Sequence, residues 1–96
     1  MTDTPDDSSE WQPFVGHNLV LDTRGELLYI GRLEKVGDWF LTLKEADVHD
    51  LTASRTSKEV YLIEAAKHGI KRNRHEVMIR KREIVSFSLL EQVIKY

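Results

Sequence analysis

From position 17 onward most of the chain alternates apolar and polar side chains at a two-residue period, the pattern of strands whose successive side chains point to opposite faces. Residues 17–22 and 26–36 are strand-like, and Thr23-Arg24-Gly25 between them has the turn chemistry of a hairpin, so these two strands are expected to pair antiparallel. In the second, Leu27, Tyr29, Gly31 and Leu33 share a face, and a glycine in mid-strand predicts a strong bend of the kind barrel corners require. After a turn at Gly37-Asp38, a third strand is expected over 39–46. Its alternation puts Trp39, Leu41 and Leu43 on one face and Phe40, Thr42 and Lys44 on the other, which leaves Phe40 as an exposed aromatic. The last two strands are expected over 75–80 and 84–90, with only Lys81 to Glu83 between them. Residues 91–96 either extend that strand or cover a sheet edge.

The period changes once. Thr56 followed three residues later by Glu59 makes a capping box, and Gly69 stands where a helix C-terminus favours glycine, so a helix is expected over 57–68. Val60-Tyr61-Leu62-Ile63 is β-favouring and offers a rival strand, which the caps argue against. Residues 1–13, rich in Asp, Ser, Thr and Pro, have the composition of a disordered acidic leader. Within it Ser8-Ser9-Glu10-Trp11 can form a short helical turn, and Trp11 and Phe14 can pack on the domain over 14–96. The expected architecture is mostly β: a small SH3-like barrel of five bent antiparallel strands with a helix inserted between the third and fourth.

With 96 residues the chain supports one small domain that buries a limited fraction of its surface, so self-association is a natural supplement to stability. The absence of cysteine rules out disulfides and thiolate metal sites. The first ten residues carry no apolar run of a signal peptide and no later stretch is long enough for a bilayer, which leads to the expectation of a soluble cytoplasmic protein without a membrane partner. Formal charge is −2, but Asp3, Asp6, Asp7 and Glu10 leave the remainder at +2. Between 67 and 82 lie Lys67, Lys71, Arg72, Arg74, Arg80, Lys81 and Arg82 against the single acid Glu76. Such a strip is the footprint of phosphate contact, although charge runs on small domains are more often a solvated face. His49 between Asp47 and Asp50 lacks an identifiable third ligand, so no metal is expected. No nucleophile with a paired base and no glycine-rich phosphate loop is present, so neither an enzyme nor a cofactor is expected.

Across 16–46 the order of Val20 and Asp22, the Gly25 turn, Tyr29, Gly31 and Leu33, then Asp38, Phe40, Leu41, Leu43 and Ala46-Asp47 is similar to the first signature of the Sm-like (LSm) family. Ile79-Arg80-Lys81 followed by Ile84 is similar to the second, Ile-Arg-Gly, two variable residues and Ile, with lysine in place of glycine. The chain resembles a divergent bacterial-type member. The resemblance implies a homo-oligomer, such as a ring, that binds single-stranded RNA. It carries base stacking onto Phe40, base-edge contact onto Thr42 where the family has asparagine, and a second stacking plane onto Arg80. Asp38, Lys81 and the basic residues Lys71, Arg72 and Arg74 complete the expected RNA-binding set. A threonine hydroxyl replaces an amide that both donates and accepts, which implies weak base specificity. Lys81 in place of glycine would hinder a close backbone approach. The alternative is a structural or protein-interaction scaffold with a degenerate nucleotide pocket, in which the inserted helix and its basic exit contact a protein partner.

Overall fold

The computed structural model describes residues 8–53 and 55–95. Five strands, β1 (Asn18–Thr23), β2 (Leu27–Val36), β3 (Phe40–Asp50), β4 (Arg74–Arg80) and β5 (Ile84–Leu89), form one bent open sheet in the order β4-β3-β2-β1-β5. All neighbours pair antiparallel. Two helices accompany them, α1 (Ser8–Trp11) and α2 (Lys58–His68), the second between β3 and β4 as the sequence predicts. Strand limits differ from expectation by a residue or so, except that β3 runs four residues beyond 46 to pair Asp50 with Leu27. Ala46 and Val48 still alternate with Asp47 and His49 in this extension, but the polar run around them obscures the pattern.

The bend has a local cause. Between the pairs Ile30↔Asp47 and Arg32↔Lys44, Gly31 alone opposes Glu45 and Ala46, and the extra residue makes a β-bulge with Glu45 at φ 50. A Cβ on Gly31 would lie 2.8 Å from Ala46 Cβ, so only glycine lets the two strands approach here. Bending lets the sheet bury both of its faces. The concave face holds Leu19, Leu21, Leu33, Leu41, Leu43, Ala46 and Ile79. The opposite face of β1 and β2 presents Val20, Leu28 and Ile30, which are covered by Leu62 and Ala65 of α2 and by Leu90 of a C-terminal 3₁₀ turn.

Within the segment expected as a leader, residues 8–13 are helical, with the turn at Ser8–Trp11 and the packing of Trp11 and Phe14 that the sequence allows: Trp11 is buried, its ring 4.4 Å from that of Phe87 and stacked on it, with Phe14 edge-on to the same ring. Burial of a large aromatic orders a segment whose polar composition alone would not. Residues 1–7 of the expected leader lie outside the described residues. In α2 the cap is one residue later than the capping box implies. Ser57 is the N-cap, its Oγ accepting from the Val60 N–H at 3.2 Å, so Glu59 falls in the first turn without the reciprocal cap position. Lys58 pairs with Asp22 and ties the helix start to β1. Gly69, at φ 94, ends the helix with its N–H bonded to the Ala65 carbonyl. Among the described residues no helix is long and apolar enough to cross a membrane.

Candidate nucleic-acid interface

The β3–β4 register sets Phe40 opposite Arg80, Thr42 opposite Met78 and Lys44 opposite Glu76, all on the face turned away from the concave core. The Arg80 guanidinium carbon stands 5.1 Å from the centroid of the Phe40 ring, within cation–π range. Beside this pair a groove of about 450 Å³ is lined by Lys35, Asp38, Trp39, Phe40, Thr42 and Met78, among others, a volume within the range of small-ligand sites. Asp38 belongs to the turn whose closing bond runs from the Gly37 N–H to the Phe40 carbonyl at 2.9 Å. Thr42 is only 8% exposed, so its hydroxyl belongs to the floor of the groove. The face assignment of Trp39 is corrected. It is 65% exposed instead of sharing the buried face of Leu41 and Leu43, because it precedes β3 and the pleat does not constrain it. Phe40, expected to be the exposed aromatic, is half-buried.

Lys81 joins the two signature segments: its backbone N–H donates to the Trp39 carbonyl at 2.8 Å. Among the described residues Glu45 alone has a positive φ without being glycine, so the backbone at Lys81 accommodates a side chain without strain. Arg24, which no motif of the sequence singles out, also belongs to this end of the barrel. Its Nε donates to the Arg82 carbonyl at 2.9 Å and its N–H to the Glu83 carbonyl at 2.9 Å, which gathers Arg24, Arg80, Lys81 and Arg82 at one end of the barrel. No local pattern predicts a contact that spans 58 residues between two turns; only the closing of β5 on β1 brings them together.

The fold can be compared with solved structures on this geometry. The chain superimposes on the Pyrococcus abyssii Sm protein in complex with a uridine heptamer with a TM-score of 0.57 and 12% identity, covering 91% of this chain and 99% of that one. The fold is Sm-like. A chain of the NatC complex bound to CoA gives a TM-score of 0.54 and 15% identity over 91% of this chain and 86% of that one. No protein-family model and no curated protein matches the sequence.

The Sm-like barrel divides the cationic strip of the sequence into two patches. Arg74 pairs with Ala46 at the far end of β4 from Arg80, six residues or roughly 20 Å away. Arg72 is bound to Glu45 at 3.1 Å, and Lys71 lies near buried Asp47. Lys71, Arg72 and Arg74 are therefore not joined to Asp38, Phe40, Thr42, Arg80 and Lys81. Asn73 fixes this second region: its N–H donates to the Ala46 carbonyl, its Oδ1 accepts from the Val48 N–H, and its Nδ2 donates to Asp47 Oδ1 at 3.0 Å. Burial pushes the Asp47 carboxyl above its ordinary value, an effect opposed by the charges of His49 and Lys71. His49 stacks on Tyr61 of α2 with ring centroids 3.7 Å apart.

Proposed function

We propose that this protein binds single-stranded RNA with weak base specificity, as a homo-oligomer, at the Phe40–Arg80 pair. The observation that carries the reading is the 5.1 Å approach of the Arg80 guanidinium to the Phe40 ring, which puts two planar groups capable of stacking a base on one spot of the surface. Arg24, Lys81 and Arg82 surround it with positive charge suited to phosphates. Weak specificity follows from Thr42, whose covered hydroxyl offers a base edge little to bond. The Sm protein of similar fold, solved with a uridine heptamer, supports RNA as the ligand class. Lys71, Arg72 and Arg74 become a separate, secondary phosphate contact in this reading. The protein acts as a binding module and performs no chemistry on the strand.

A second reading, a protein-interaction scaffold with an unused pocket, is favoured by the chain of similar fold from the NatC complex. Oligonucleotide titration separates the two. For an RNA binder, affinity for oligouridylate falls steeply with salt because phosphate contact releases counterions. Phe40→Ala should cost about 1–3 kcal/mol, and Arg80→Ala should weaken binding and flatten the salt slope by about one unit. Charge reversal at Lys71, Arg72 and Arg74 should have the smaller effect. If the wild-type protein binds no oligouridylate at low salt, the scaffold is the better account.

A further inference from the structure

Trp39 is the only exposed Phe, Tyr or Trp among the described residues. We propose that it is a second stacking platform, so that each site takes two consecutive unpaired bases, one at Phe40–Arg80 and the next on the Trp39 indole. The inference rests on the RNA-binding reading and specifies the length of strand that the site engages. A single exposed apolar side chain is ordinary on a protein surface. What distinguishes Trp39 is how firmly its backbone is held and what stands beside it. Its carbonyl accepts the Lys81 N–H, and the adjoining turn is closed by the Gly37 N–H on the Phe40 carbonyl. A Cβ on Gly37 would lie 3.1 Å from that same oxygen, so the turn is as tight as glycine permits. A fixed backbone presents the indole with only two side-chain torsions left to order, a small entropic cost for a large flat contact.

Position and charge then orient the strand. Trp39 and Phe40 line one groove although they are adjacent in sequence, so neighbouring bases of one strand can reach both rings. The groove wall carries Glu34, Asp38 and Glu76 beside Lys35 and Lys44, and Lys44 is paired with Glu76 at 3.1 Å. That lining disfavours a phosphate and offers acceptors to base amino and imino groups. Arg80 stands against the Phe40 ring and Lys81 is bonded to Trp39 at the rim of the groove, with Arg82 next in sequence and bonded to Arg24. The linking phosphate is therefore placed at the rim and the bases in the groove.

The test compares uridine and adenosine mononucleotides with the matching dinucleotides on the full chain. In the wild type the second nucleotide should improve affinity about 5- to 150-fold, and in Trp39→Ala that ratio should fall towards one. A Trp11→Phe background leaves Trp39 as the sole tryptophan, and its emission should then change with dinucleotide and not with protein concentration. Should Trp11→Phe fail to fold, the affinity ratio of Trp39→Ala decides alone. An undiminished ratio in Trp39→Ala overturns the inference and leaves RNA binding at Phe40–Arg80 standing. Emission that follows protein concentration instead of nucleotide assigns Trp39 to a contact between copies and also overturns it. If the wild type binds neither mono- nor dinucleotide nor a longer oligonucleotide, the RNA reading itself fails and this inference with it.

Discussion

At position 31 an added methyl would meet Ala46 Cβ at 2.8 Å and Ala46 Cα at 3.1 Å, with backbone on one side of the clash. Gly31→Ala must therefore push β2 and β3 apart at their bulge, and we expect it to cost about 1–3 kcal/mol, seen as a lower urea midpoint with an unaltered slope. This residue was legible in the sequence because a backbone requirement leaves a mark that only glycine can make. Trp39 and Arg24 were not. The alternation rule assigned Trp39 to the buried face because it counts positions and does not know where the strand starts, while Arg24 joins Arg82 only when β5 closes on β1. Asp47 gives a prediction with a sign. Its carboxyl titrates above its unfolded value because it is buried, so between the two pKa values the folded chain holds the extra proton and stability falls as pH rises through that window. Asp47→Asn, which keeps an acceptor for Asn73, should flatten the decline; unfolding midpoints at pH 4 and pH 7 would show the wild type losing stability relative to the variant.

The elements show where local patterning suffices. Five strands and the helix follow from alternation, turns and caps, since those signals act over a few residues. The two registers that bend the sheet do not, because bulges at Gly31 and near Glu34 depend on which residues face each other across strands. The reason for α2 was also invisible: it supplies Leu62 and Ala65 to cover Val20, Leu28 and Ile30, an apolar layer on the side of the sheet that faces away from the concave core. A helix with just two buried residues carries a faint hydrophobic stripe, which is why Val60 to Ile63 competed as a strand. Leu62→Ala should destabilise the fold by about 2–5 kcal/mol. No residue of α2 lines the Phe40 groove, so below the new melting temperature oligonucleotide affinity should be retained. Thermal unfolding and binding measured on the same preparation would check both halves.

For the whole molecule the controlling fact is that β4 and β5 are the two ends of the sheet order and do not pair with each other. Among the described residues the tail adds no strand to either edge, and the turn Leu90–Gln92 packs on α2 and β1 instead. Both edges also expose apolar side chains, Met78 at 59% and Val85 at 62%. An open edge with such residues invites another strand, and a contact of β4 in one copy with β5 in the next would be head-to-tail, a geometry that closes into a ring or runs on as a fibre. A 96-residue chain gains from this because it buries a limited fraction of its own surface. Light scattering should therefore give a multiple of 11.2 kDa at micromolar concentration, and Val85→Lys, which lies outside the Phe40 groove, should lower it to a single chain with the circular dichroism unchanged. Assembly would also place several Phe40 sites on one strand, so a long oligonucleotide should lose far more affinity in this variant than a dinucleotide does, by a factor of about 10²–10⁴. A wild-type protein that remains a single chain at that concentration would remove both the ring and this gain, and leave each barrel to bind its nucleotides alone.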